Sequence, residues 1–467
     1  MGRSNSKGRP ATFYAALLGS LLLFIASAWG SYLFTGPIFI DYLVYYAGGA
    51  AVNPFIDYPH ALYDTDMMST LSLNLGYGYV FNQNGDWLYF TYPPFAALLF
   101  SPAALFNHDL ARYVFIGVYY ALSIYCAWVT SKALAQLSRR YAPVHAQVGP
   151  IVALLIAALM MWSNAWAHGA FYAQINPYIL ALVLYDLTRP ASKIPRGVFI
   201  GIAAGIKLTP LAVLLLWLIR RDWRSIVTAI ASFVGTIALG FILLPSESVI
   251  FWTSALWDSS RVGFTDILNN ISLKGFVAHT YTPAPVQSAL WPLLVLVCIA
   301  VMSYLLYQLD KHYPGKNAAQ ALIVSALPVY ISPISWDHHA IMALPVFMIS
   351  CVGALWIYRS SRIRGILAFA LVLPAIIWAM DSYGVIAQDL IRWADSVGIY
   401  TLADRSDDYL WHLSNESPVG LAMYIPSLLL MGFWMLWARE LASQPINESA
   451  ESVELGKPGE LSRKAQA

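Results

Sequence analysis

The stretch RGVFIGIAAGIKLTPLAVLLLWLIRRDWR, residues 196–224, sets an apolar run of membrane-crossing length between two basic clusters, with Lys207 and Pro210 in its middle. Cytoplasmic loops collect Lys and Arg, so a straight helix here would leave one cluster on the wrong side. A helix broken near Pro210, with two short arms and Lys207 close to the apex, keeps both clusters on one side. Irregular backbone survives at membrane depth only when buried in protein or lining a wet cavity, so Lys207 is expected to line a cavity.

The surrounding composition agrees with a membrane setting. Of 467 residues, 59% are hydrophobic and 11% charged, where soluble domains carry about 25% charged residues. Apolar blocks near the bilayer-crossing length of ~20 residues recur, among them Ala11 to Phe34, Phe115 to Leu137, Ile226 to Leu244 and Ile366 to Met380. A net charge of +2 without a basic stripe excludes a nucleic-acid partner, and the apolar content excludes a solvated disordered chain. Cys126, Cys298 and Cys351 sit in apolar stretches at unrelated spacings, which suggests neither a disulfide framework nor a thiolate metal site. The block after Arg3, Lys7 and Arg9 is too long for a signal peptide and lacks a cleavage site, so it is read as a retained span.

Basic residues gather before Ala11, around Lys132 to Arg140, Arg189 to Arg196, Arg220 to Arg224, Lys311 to Lys316 and Arg359 to Arg364, and in the tail. Residues 36–91 contain no Lys or Arg, but contain Asp41, Asp57, Asp64, Asp66 and Asp86. The first set is placed in the cytoplasm and the second outside, with residues 381–418 also outside. The resulting expectation is an all-α polytopic transmembrane bundle of roughly ten to thirteen membrane helices with both termini cytoplasmic. One membrane domain covers 1–438, and 439–467 form a disordered cytoplasmic tail. Tyr92 to Phe106, broken by Pro93, Pro94 and Pro102, fits a partial insertion near the outer face, and Tyr42 to Val52 a short amphipathic helix at the interface.

Ionisable and amide side chains at a membrane boundary are costly, so their positions carry the functional information. At the outer ends of the spans lie Asp41, His168, Gln174, Asn176, Arg261, Asn270, Lys274, Asp337, His338 and His339, with Lys207 reaching them from the broken helix. Asp41 has two readings of equal weight: an N-cap for the following helix, or a carboxylate that takes a proton from an alcohol beside a cavity. Adjacent His338 and His339 point about 100° apart on a helix, which disfavours one shared metal and favours donation to a phosphate. Lys207 is too far from either basic flank to snorkel, and its charge makes sense beside an anion. Trp162, Trp166, Trp252, Trp257 and Trp336 are taken as interfacial belt residues.

Taken in order, several strings resemble those of glycosyltransferase family 87, membrane enzymes of the GT-C type: Asp41 after the first span, Tyr92-Pro93-Pro94, Gln174-Ile175-Asn176, Ile206-Lys207-Leu208-Thr209-Pro210, Asn270-Ile271-Ser272-Leu273 and Ser332 to His339. Within the family the likeness is to the polyprenyl-phosphate-mannose-dependent alpha-mannosyltransferases of actinobacteria. The resemblance implies a lipid-linked sugar donor and a glycolipid or lipoglycan acceptor hydroxyl, with inversion at the anomeric carbon. It implies Asp41 as catalytic carboxylate, and His338 or His339 on the donor phosphate or sugar. Lys207, Arg261, Gln174, Asn176 and Asn270 are expected beside the donor, and Tyr92, His168, Trp336 and Asp337 at the acceptor or cavity wall. Where the family has Gly before the Gln-x-Asn motif, this chain has Ala173. No P-loop or soluble nucleotide domain is present, and neither a metal nor another cofactor is predicted. An arabinofuranosyltransferase is the nearest alternative, and a lipid-linked-sugar flippase or secondary transporter the alternative of another class.

Overall fold

The computed structural model describes residues 11–445 apart from 59, 65, 76–87, 139–148, 259–260, 264, 266–269, 281, 316, 381–420 and 422–423. Among the described residues the regular elements are all helical. Six helices are long and apolar enough to cross a membrane: α1 (Ala11–Thr35), α5 (His108–Ser138), α11 (Trp223–Leu243), α14 (Ala284–His312), α17 (Ala343–Ser360) and α18 (Arg362–Met380). A seventh crossing is available if α6 (Gly149–Met160) and α7 (Asn164–Tyr172), bent by 70°, count as one span. The chain is therefore a polytopic helical membrane protein. Among the described residues fewer crossings qualify than the ten to thirteen expected, several apolar stretches there forming helices too short to span; residues 381–418, expected outside, lie beyond the described ones.

Three of these short pieces are informative. Tyr92 to Phe106 becomes α4 (Pro94–Phe100) and a 3₁₀ turn, Ser101–Leu105, with Pro94 in the first turn where its missing N–H costs nothing. Helix α2 (Ile40–Ala51) departs from the interfacial helix expected of Tyr42 to Val52, since most of its residues, including Tyr42 and Tyr45, are buried. Gly48 and Gly49 let its neighbours close in: a Cβ on Gly48 would stand 2.3 Å from the Phe90 ring, and one on Gly49 would stand 2.6 Å from the Phe100 backbone. Trp166 is not a belt residue either, for it is buried and donates its indole N–H to the Ile341 carbonyl at 2.8 Å.

The broken helix turns back as its basic flanks require. It consists of α9 (Val198–Ile206), a 3₁₀ turn at Thr209–Val213 and α10 (Leu214–Ile219). Gly197, Gly201 and Gly205 lie against Ser225 and Ala229, then Ala229 and Ser232, then Thr236 of α11. The contacts advance in the same order on both helices, so α9 and α11 run parallel and the chain between them must return. Any Cβ at 201 or 205 would come within 2.5 Å of α11 atoms, which makes glycine a packing requirement there. The base of the hairpin is tied down by Asp186, at the C-terminal end of α8 (Asn176–Thr188). It accepts from the amides of Gly197, Phe199 and Ile200 and pairs with Arg189 at 3.1 Å. Arg220 pairs with Asp310 of α14 at 2.7 Å. Lys207 stands at the opposite end, at the turn between the arms. The last described helix, α19 (Ile425–Ala442), runs past the expected domain edge at 438, and 446–467 lie outside the described residues.

The hairpin is checked by attaching a membrane-impermeant thiol reagent to Lys193→Cys and Trp223→Cys, both at exposed positions. Both should react from the same side of oriented membrane vesicles. Reaction from opposite sides would mean that residues 198–219 cross.

Candidate active site

Asp41 is fixed by an unusual local backbone. After α1 the amides of Ile38 and Phe39 both donate to the Phe171 carbonyl, at 3.0 and 2.9 Å. Phe39 is held in the left-handed region with φ +54°, a conformation costing a side-chain-bearing residue roughly 1–2 kcal/mol. Helix α2 starts at Ile40, so Asp41 lies within its first turn and is not the N-cap that one sequence reading allowed. Its carboxylate still benefits from the helix N-terminus. It accepts a hydrogen bond from Gln174 Nε2. Burial pushes the Asp41 carboxyl above its ordinary range, opposed by His338, the Gln174 hydrogen bond and Lys207.

Gln174 and Asn176 carry the contact onward. Ala173 takes a left-handed conformation (φ +56°) to end α7, the backbone that glycine adopts most readily. This swings Gln174 back, its amide donating to the Gly169 carbonyl at 2.8 Å. Gln174 Oε1 accepts from Tyr45 at 3.3 Å and from Asn176 Nδ2 at 3.1 Å. Asn176 Nδ2 also reaches the His338 carbonyl at 3.0 Å, and Asn176 Oδ1 accepts from Lys207 Nζ at 3.2 Å. Lys207 Nζ lies 3.2 Å from His339 Nε2. One chain of polar contacts thus runs from Asp41 through two amides to Lys207 and His339.

The Ser332 to His339 segment forms the facing wall. Asn270 holds its root: Nδ2 donates to the Pro333 carbonyl at 3.0 Å, and Oδ1 accepts from the Ser335 and Ser272 amides at 2.9 and 3.3 Å. Asp337, His338 and His339 make one 3₁₀ turn. Asp337 accepts from His168 and from the His338 amide. Burial acts to raise the Asp337 carboxyl, but His168 and His338 outweigh it and hold it well below the usual range. Burial, together with Lys207, pushes His339 well below its ordinary value, so it stays neutral. A neutral imidazole has one acceptor nitrogen, so His339 can accept from Lys207 or from the Trp336 amide 3.2 Å away, but not from both. His338 is buried, and neither Nδ1 nor Nε2 has a hydrogen-bond partner among the described residues, with Nδ1 standing 3.3 Å from Asp337 Oδ1.

These groups surround a cavity of about 500 Å³. Asp41, Tyr92, His168, Gln174, Asn176, Lys207, Arg261, Trp336, Asp337, His338 and His339, all singled out in the sequence, line it. Asn270 and Lys274 do not. Asn270 spends its amide on backbone groups and supports the wall instead of forming it, while Lys274 Nζ sits 5.1 Å over the Trp291 ring. Sequence reasoning missed Tyr45, Tyr172 and Asp258. Tyr45 had a signal, since it stands one turn after Asp41 on the same helix face. Ile179, Val183, Val213 and Val329 add apolar lining to the same cavity.

Comparison with known proteins identifies the family. The model of "Glycosyltransferase family 87" matches residues 90–333, a window that holds Gln174, Asn176, Lys207 and Arg261 and stops short of Asp41 and His338. The chain is 29% identical over 272 residues to the "Polyprenol-phosphate-mannose-dependent alpha-(1-2)-phosphatidylinositol mannoside mannosyltransferase" of Mycobacterium tuberculosis, covering 56% of this chain and 61% of that protein. This match spans less than two thirds of that relative. It is 28% identical over 381 residues to the corresponding pentamannoside mannosyltransferase of Mycolicibacterium smegmatis, covering 80% of this chain and 85% of that one. An alpha-(1->3)-arabinofuranosyltransferase of Corynebacterium glutamicum is 25% identical over 264 residues, 55% of this chain and 59% of its own. No solved structure matches the chain.

The raised carboxyl of Asp41 has a consequence for stability. A folded-state value above the unfolded one means that ionisation opposes folding, a penalty fully present above the folded value and lost as pH falls below the unfolded value. Asp41→Asn keeps the shape and drops the charge. It should melt above the native protein at mildly alkaline pH, with the gap closing toward acid pH in detergent-solubilised thermal scans; a variant melting lower throughout would show that the carboxylate is a net stabiliser.

Proposed function

The chain belongs to glycosyltransferase family 87, and from that membership we propose that it is a mannosyltransferase of the cytoplasmic membrane. It moves mannose from polyprenyl-phosphate-mannose to a hydroxyl of a phosphatidylinositol-mannoside-type glycolipid, on the extracytoplasmic side. The observation that carries this reading is the meeting of Asp41, Lys207 and His338 on one cavity whose lining also includes the apolar Ile179, Val183, Val213 and Val329. A lipid-linked sugar needs those parts: a base for the incoming hydroxyl, a cation and a hydrogen-bond donor for the departing phosphate, and apolar surface for the start of the prenyl chain. The sidedness rests on the charge pattern. The ion pairs of Asp186, Arg189, Arg220 and Asp310 lie at the hairpin's basic end, which belongs in the cytoplasm, and the cavity lies at the other.

In this mechanism Asp41, kept basic by burial, accepts the acceptor's hydroxyl proton as its oxygen attacks the anomeric carbon. The bond from that carbon to the phosphate oxygen breaks through an oxocarbenium-like state, and its electron pair stays on the polyprenyl phosphate. Attack opposite the leaving group inverts the centre. An alpha linkage, as in the relatives' names, therefore requires a beta-linked donor. Lys207 and His338 take up the growing phosphate charge by charge-assisted hydrogen bonds. His339, held neutral, orients Lys207. Asp337 holds the His338 ring from one side while His168 holds Asp337. Gln174 fixes the carboxylate and keeps it at a set distance from Lys207, through Asn176. Charge neutralisation is thus assigned to side chains of the chain itself, with no metal or other cofactor in the reading.

With radiolabelled polyprenyl-phosphate-mannose and phosphatidylinositol mannoside in membranes, Asp41→Asn should lower transfer about 10²-fold or more. Lys207→Met should lower kcat by about 10²–10³-fold. Transfer at the native rate by Asp41→Asn would contradict the base assignment. The acid limb of the native rate profile should lie above the ordinary carboxylate range, because burial raises Asp41.

A further inference from the structure

One cation on the cavity wall has no part in the contacts around Asp41. Arg261 follows the turn after α12 (Pro245–Ile250) and the π-turn Phe251–Ala255, on a different segment from the hairpin that carries Lys207. Its guanidinium carbon lies 4.4 Å from the Tyr89 ring centre and 5.9 Å from that of Tyr63. Lys207 is engaged by Asn176 and His339, so the two cations share no partner.

The free atoms on Arg261 are specific. Nε and Nη2 are both buried and have no hydrogen-bond partner among the described residues. Together they form one flat edge of the guanidinium, the two-donor fork that matches a pair of oxygens on a phosphate or carboxylate. Asp258 nearby favours the charge, but among the described residues nothing hydrogen-bonds that edge, so it is open to a ligand's pair of oxygens. Asp258, three residues earlier, lines the same wall. It adds a carboxylate, which beside a phosphate suits the hydroxyls of a polyol ring, and the Tyr89 face backs the fork.

We infer that Arg261 receives the phosphodiester of the acceptor lipid's headgroup, with Asp258 taking hydroxyls of the ring attached to it. The inference rests on the mannosyl-transfer reading and deepens it. Donor and acceptor phosphates then occupy separate cation sites, Lys207 with His338 and Arg261, and the acceptor's terminal sugar spans the distance to Asp41. Specificity for an anionic glycolipid over a neutral glycoside follows from this second site.

The test compares native protein and Arg261→Gln in membranes, using polyprenyl-phosphate-mannose with either phosphatidylinositol mannoside or uncharged octyl mannoside as acceptor. The variant should lose about tenfold or more in the ratio of kcat/KM for the charged acceptor over the neutral one, with donor KM moved by less than about threefold. Because the ratio is taken within one preparation, loss of folded protein cannot produce it. An equal loss with both acceptors, or a rise confined to donor KM, would overturn the assignment. If the native chain mannosylates neither acceptor, the transfer reading fails and this inference fails with it.

Discussion

The structure depends on keeping a carboxylate and an ammonium in one apolar bundle without letting them collapse onto each other. Asp41 and Lys207 do not pair directly; Gln174 and Asn176 stand between them, each amide accepting on one side and donating on the other. A direct buried salt bridge would neutralise both charges and close the space. Two intervening amides satisfy both while leaving a cavity of about 500 Å³ between the walls. The opposite charges make burial tolerable, and their separation makes room for a substrate.

Much of the fold serves that separation. The α9–α10 hairpin carries Lys207 inward, and its glycine contacts with α11 set how deep it goes. The buried α2 brings Asp41 from the other direction. Two of the left-handed residues, Phe39 and Ala173, flank the two ends of the Asp41–Gln174 contact. Strained backbone at such points persists only where surrounding packing over-determines it. Here the packing is direct, because Phe39 and Ala173 lie in one small apolar cluster with Tyr42 and Ile116.

The membrane class, the broken helix and most of the site were legible because each rests on a local signal. Basic flanks at both ends of 196–224 force a return, and polar residues at span ends must have a use. The span count was less legible, since apolar length alone does not separate a crossing helix from a short one packed inside the bundle; residues 164–172, bent by 70° from 149–160, are a case. The N-cap reading of Asp41 failed because only tertiary contact, Phe171 receiving two amides, sets where α2 begins. Asn270 looked like a site residue because a buried amide is equally suited to a ligand and to a neighbouring loop, and in the fold it holds the Ser332–Ser335 backbone. The division of labour between His338 and His339 needed coordinates, since adjacent residues look alike until Lys207 is placed beside one of them.

The most direct test of the account is an experimental structure with a non-transferable phosphonate analogue of polyprenyl-phosphate-mannose bound. The account predicts the phosphonate against Lys207 and His338, the start of the prenyl chain against Ile179 and Val213, and the anomeric carbon facing Asp41 with room for one hydroxyl between them. An analogue bound with its phosphonate away from Lys207, or with Asp41 outside reach of the anomeric carbon, would contradict it.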